Sequence, residues 1–195
     1  MTDGRQLPRT FVTEAGAVEM RFMTAADEPA LLAFAGSLPV HDMLFLPRDI
    51  AQPKVLAAWV REAARGALPT LLAVADGRVV GCGTMVRDPQ SWSPHVAEVR
   101  VVIAPEMRGK GVGRTLAQEC FAILLADGVE KIIAQMTIDQ QGAIAVFESL
   151  GFHSEALLRD HVQDRDGRKH DIVILSHDVA KVMARMSAYG VTQAF

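Results

Sequence analysis

Only two cysteines, Cys82 and Cys120, occur in 195 residues, and they lack the spacing of metal ligands. Both sit in apolar surroundings and read as reduced core thiols. The six histidines likewise show no pair at ligand spacing, so no metal site is expected. Charge of one sign is also scarce. A net charge of -3 with no block of like charges excludes an overall nucleic-acid footprint and an interaction tail. No apolar run approaches the roughly 20 residues that a membrane span requires. The opening segment MTDGRQLPRTFVTEAG lacks the continuous apolar stretch of a signal peptide, which points to a cytoplasmic protein. No internal repeat is visible.

What is present has the balance of a globular chain: 50% of residues are apolar and 22% charged. The length suits one domain with appendages. AVEMRFM at 17–23 reads as a first strand, and Thr24 with Asp27 forms a capping pattern ahead of a helix. A proline-containing loop follows, and Pro53 opens a second helix that ends near Gly66. Two β-rich runs meet at Asp76-Gly77, a hairpin signal, and VAEVRVVIA is a further strand halted at Pro105. The run 114–128 is a helix with Gly128 at its C-cap, KIIAQMT a strand, and 140–151 another helix. Strand, helix, strand over 96–137 implies a parallel crossover inside a sheet whose first half is antiparallel. A last hairpin turns at Asp166-Gly167. Finally Val179, Val182, Met183 and Met186 form a helical stripe that covers the sheet or a second copy of the chain, pointing to a homodimer. The expected organisation is therefore an N-terminal extension (1–16), a main domain (17–177) and a C-terminal helix and tail (178–195).

The stretch PEMRGKGVGR, residues 105–114, joins a strand to a helix and holds three glycines and three basic side chains. Glycines at such a junction let backbone N–H groups converge, and a helix N-terminus with cations beside it suits a polyanion such as pyrophosphate. The triphosphate-loop pattern fails, because Ala104 stands where its first glycine belongs and Lys110 is followed by Gly111. The dinucleotide pattern begun at Gly111 fails at Leu116.

R-x-x-G-x-G does fit, from Arg108 to Gly113, after VRVVIAPE and before an apolar helix. This resembles the acyl-CoA signature of the GNAT superfamily of N-acetyltransferases. AIAVFESLGF, residues 143–152, is similar to that superfamily's second block, A-I-x-L-Y-E-K-L-G-F. The order of elements from 17 to about 176 is also similar to the whole GNAT core. The resemblance implies an α/β fold of the α+β type: a mixed, mostly antiparallel central sheet with helices on both faces and one parallel strand pair splayed for acyl-CoA.

It also implies chemistry. By resemblance, the backbone of Val101, Val102 and Ile103 pairs with the pantetheine arm. The amides of Arg108, Gly109, Lys110, Gly111, Val112 and Gly113 would receive the pyrophosphate, with Arg114 for the remaining phosphate. The implied reaction is direct attack of a primary amine on the thioester of acetyl-CoA, in a ternary complex and without a covalent enzyme intermediate. A lysine-like amine near pKa 10.4 costs about 4–5 kcal/mol to deprotonate at neutral pH, so a base or a water chain is needed. Glu98 resembles the strand glutamate that serves as base in some members; it could equally face solvent or pair with Arg100 or Arg87. A strand amide near Val102 could meet the oxyanion. Two positions depart from the family. Phe147 stands where a tyrosine commonly protonates the departing thiolate, and the only tyrosine, Tyr189, matches no family position. Gln140 stands where an asparagine often contacts the pantetheine. His41, Asp42, Arg48 and Asp49 fall in the loop that borders the acceptor cleft in GNAT proteins, and Trp92 lies in the loop before the cofactor strand. All five read as shaping substrate choice or as ordinary loop residues. The alternative is a non-catalytic acyl-CoA-binding regulatory module of the same fold.

Overall fold

The computed structural model describes residues 7–180. Eight strands form one sheet in the order β1-β2-β3-β4-β5-β6-β8-β7. The first two are β1 (Arg9–Thr13) and β2 (Gly16–Phe22), paired antiparallel. The sheet therefore begins inside the segment expected to be an extension. RTFVT is a short edge strand whose Val12 is 91% exposed, so it carries little of the hydrophobic signal that marks an interior strand.

Helix α1 (Glu28–Ser37) follows β2 through a short 3-10 turn at Ala25–Asp27. The expected capping device is there. The Asp27 carboxylate accepts from the Thr24 amide at 2.7 Å and from both Arg21 guanidinium nitrogens at 2.6 and 2.9 Å. A second short turn, Val40–Met43, leads to α2 (Pro53–Ala64), with proline in its first turn. Strands β3 (Thr70–Ala75) and β4 (Arg78–Val86) form the hairpin around Asp76 and Gly77, both at positive φ. Then come β5 (Val96–Ile103), α3 (Val112–Ala126), β6 (Lys131–Thr137), α4 (Gln141–Ser149), β7 (His153–Gln163) and β8 (Lys169–Asp178).

Strand alternation sends successive side chains to opposite layers. Leu71, Ala73, Val99 and Met85 pack with α3 and α4, whereas Leu72, Cys82 and Val102 pack with α1 and α2. Helices thus cover both faces, as the resemblance implied. Cys82 and Cys120 are buried and unpaired, and burial pushes the Cys82 thiol up to about 12 and that of Cys120 further still. Neither thiol is a nucleophile in this state. Among the described residues the only parallel pair is β5 with β6. Its register runs from Val96↔Lys131 to Glu98↔Ile133 and stops there, although β5 continues to Ile103 and β6 to Thr137. Beyond Glu98 the two strands part, and a wedge opens between them. The Met-rich stripe from Val182 onward and Tyr189 lie outside the described residues. Among the described residues no helix is long and apolar enough to cross a membrane.

Candidate active site

The wedge opens into a cavity of about 750 Å³, within the size range of small-ligand sites. One wall is β5, with Val99, Val101, Val102 and Ile103; the opposite wall includes Gln135 and Met136 of β6. The facing edges of the two strands are unpaired here, although β5 stays paired to β4 and β6 to β8, so main-chain groups that a sheet would normally consume border the space.

The glycine turn closes one end. Gly109 (φ 70°) and Gly111 (φ 84°) adopt left-handed backbone, which glycine enters without strain. Gly111 is the N-cap of α3, whose first turn presents the amides of Val112, Gly113 and Arg114 with no helical carbonyl ahead of them. Gly113 has a different reason to be glycine: a Cβ there would lie 3.3 Å from Ile103 Cγ1, so α3 starts hard against β5. The Glu14 amide donates to the Lys110 carbonyl at 3.2 Å, buttressing the turn from the β1–β2 hairpin.

Of the residues expected at the site, Val101, Val102, Ile103, Arg108, Gly109, Gly111, Gly113, Arg114, Gln140 and Phe147 all line this one cavity. Lys110 is exposed beside it, and the Val112 side chain is buried in the core, leaving only its amide to offer. Arg108 differs from the simple expectation. Its amide already donates to the Pro105 carbonyl at 3.2 Å and its guanidinium pairs with Asp42. Gln140 occupies the N-cap position of α4 without a side-chain cap bond, and its Oε1 accepts instead from the Thr137 amide at 3.2 Å, back at the end of β6. Phe147 is 5% exposed and stacks edge-on against Phe152 at 5.0 Å, so the ring serves the core and the cavity wall together. Glu98 lies elsewhere: it shares a face of β5 with Arg100, and Arg100 binds both its oxygens at 2.9 and 2.7 Å. The carboxylate is not among the groups lining the cavity.

The loop between α1 and α2 is fastened by the ion pairs of Asp42 with Arg108 and of Asp49 with Arg165 at 2.5 Å, and by a contact of His41 Nε2 with Asp139 at 2.7 Å. Burial raises the Asp139 carboxyl, but hydrogen bonds from Thr137 and its own backbone, together with His41, hold it below the ordinary range. Asp139 and Glu14 gave no signal in sequence, because each is a lone acid in a polar turn; only the fold brings them to the cavity.

The description "Acetyltransferase (GNAT) family" fits a family model that matches residues 37–152. The chain belongs to the GNAT acetyltransferase family. GNAT acetyltransferases use acetyl-CoA, and the wedge, the glycine turn and the segment 143–152 all lie within the matched residues. Among curated relatives, the [Ribosomal protein bS18]-alanine N-acetyltransferase of Escherichia coli is 28% identical over 74 residues, 38% of this chain and 50% of that protein. The mycothiol acetyltransferase of Paenarthrobacter aurescens is 34% identical over 85 residues, 42% of this chain and 26% of that one. The chain spans about half the length of the first of these curated relatives, and less of the second. Among solved structures, ribosomal-protein-alanine N-acetyltransferase from Brucella melitensis superposes with a TM-score of 0.69 at 27% identity, covering 82% of this chain and 98% of that one. YncA from Salmonella typhimurium, solved with its cofactor acetyl-CoA, shares the GNAT fold at a TM-score of 0.69 and 20% identity, covering 83% and 94%. Among the described residues no three His, Cys, Asp or Glu side chains gather as ligands.

Proposed function

We propose that this protein is an acetyl-CoA-dependent N-acetyltransferase that acts on a primary amine of a small molecule or protein by direct attack in a ternary complex. One observation carries the reading: a single cavity joins the glycine turn, the unpaired edges of β5 and β6, and a polar far wall. In this reading the main chain of Val101, Val102 and Ile103 pairs with pantetheine. The amides from Gly109 to Gly113 hold pyrophosphate, and Lys110 and Arg114 supply charge. Arg108 meets a phosphate only by loosening its pair with Asp42. Gln140 remains beside the pantetheine path. Glu98 serves as base only if the pair with Arg100 opens. The relatives named for alanine N-termini favour an α-amine as acceptor.

A second reading, an acyl-CoA-binding module without transfer, draws on Phe147, which has no proton to give, and on the engaged Glu98. Two measurements separate them. Calorimetry with acetyl-CoA is expected to show binding that Gly111→Ala weakens about five- to thirtyfold, because the turn relaxes away from φ 84°, where holding an alanine costs about 1–2 kcal/mol, and takes its amides out of line. Thiol release with a panel of amines, including a peptide that begins with alanine, should give intersecting initial-rate lines, the mark of a ternary complex. No heat with acetyl-CoA defeats both readings. Binding without amine-stimulated release favours the module, and parallel lines would replace direct attack with a covalent intermediate.

A further inference from the structure

Among the described residues, His41 is the one imidazole that lines the cavity. Its Nε2 lies 2.7 Å from Asp139 Oδ2 and 3.3 Å from Thr137 Oγ1. A carboxylate only accepts, so Nε2 carries the hydrogen and the neutral ring keeps its lone pair on Nδ1. No described residue hydrogen-bonds Nδ1. His170, from β8, stacks edge-on against the ring at 5.0 Å and is itself held by Asp164 at 2.8 Å. The imidazole is therefore fixed from β6 and β8, with its free nitrogen as the remaining polar atom. An acid behind one ring nitrogen and an open lone pair on the other is the arrangement that makes an imidazole a positioned base.

Resting on the transferase reading above, we propose that His41, oriented by Asp139, is the proton acceptor for the attacking amine. The amine nitrogen forms its bond to the thioester carbon as its N–H proton passes to His41 Nδ1. The C–S bond then breaks, its electron pair leaves on sulfur, and the imidazolium returns the proton to that sulfur. The products are the amide and free coenzyme A thiol, and the histidine ends neutral. The developing imidazolium stands against the Asp139 carboxylate. The same shuttle supplies the proton that Phe147 lacks.

The test is His41→Gln in the full chain, assayed with acetyl-CoA and the amine of the panel that the parent protein acetylates fastest. The side chain is 34% exposed, so the glutamine is accommodated at little cost to folding, which a melting curve checks. We expect kcat to fall at least thirtyfold, within the hundred- to ten-thousandfold span of general base effects or just under it, while the acetyl-CoA dissociation constant stays within threefold. The fall of kcat/KM on acidification is expected to flatten. The charged groups around the ring, Asp139, His170 with Asp164, and Asp42 with Arg108, are all retained in the variant. A kcat loss under thirtyfold, a change confined to KM, or an acid limb that persists overturns the proposal and leaves the transferase reading standing. Loss of acetyl-CoA binding or of the folded state also overturns it, since His41 would then be a support of the cleft. If the parent acetylates no amine although it binds acetyl-CoA, the transferase reading fails, and the proton role with it.

Discussion

Asp27 ties the end of β2 to the start of α1 through one carboxylate. Its hydrogen bonds from Arg21, opposed by burial and helped by Thr24, hold it at about 2, below the ordinary carboxylate range. The folded pKa is depressed, so the stabilisation is complete above the unfolded value near 3.9 and is lost as pH falls from about 4 through about 2. With Arg21 29% exposed and screened by solvent, the loss should be on the order of 1–2 kcal/mol. Urea melts of the parent and of Asp27→Asn between pH 6 and pH 2 are expected to converge at the acid end; curves that stay parallel would assign the acid sensitivity elsewhere. At this scale the sequence was readable where partners are local. Thr24 and Asp27 stand three apart and Glu98 and Arg100 two apart on a strand, so their contacts follow from backbone period alone. His41 and Asp139 are 98 positions apart, and no local rule pairs them.

At the scale of elements, α3 controls the cavity because it starts on Gly111 and lies against β4 and β5. Its approach depends on Gly83 of β4, where a Cβ would stand 2.6 Å from Cys120 Sγ and 3.2 Å from Leu116 Cγ. Gly83→Ala is expected to destabilise the protein by about 1–3 kcal/mol, measured by urea denaturation, since the helix must lift or the core side chains leave their rotamers. Adding Cys120→Ala removes the closer contact and should recover part of that loss, a coupling that a double-mutant cycle detects. If Gly83→Ala is neutral, α3 is not pressed against the sheet here. Helices and hairpins were legible because period and turn chemistry are local properties. β1 was not, since an edge strand facing solvent needs no apolar alternation. Glycine at 83 was equally silent, because nothing in the chain around it announces that a helix will land on it.

For the molecule as a whole, the wedge between β5 and β6 is a break in the pairing of an otherwise continuous sheet, and the proposed function seats the acetyl-CoA chain in it. A ligand that binds the folded state alone stabilises it by mass action, about 2.7 kcal/mol at a hundredfold excess over Kd. For a chain of 195 residues that corresponds to a rise of about 5–10 °C in Tm with acetyl-CoA. Free coenzyme A should reproduce most of the rise and ATP little of it; equal shifts with ATP would mean that the pantetheine path contributes nothing. By itself the sequence determined the order of elements, the mixed sheet and the glycine turn, because hydrophobic period, turn residues and a six-residue pattern are all written within a few neighbours. Tertiary structure alone decided which groups share the cavity. It drew Arg108 to Asp42 and placed His41 against Asp139, because long-range packing selects among partners that local chemistry leaves equal.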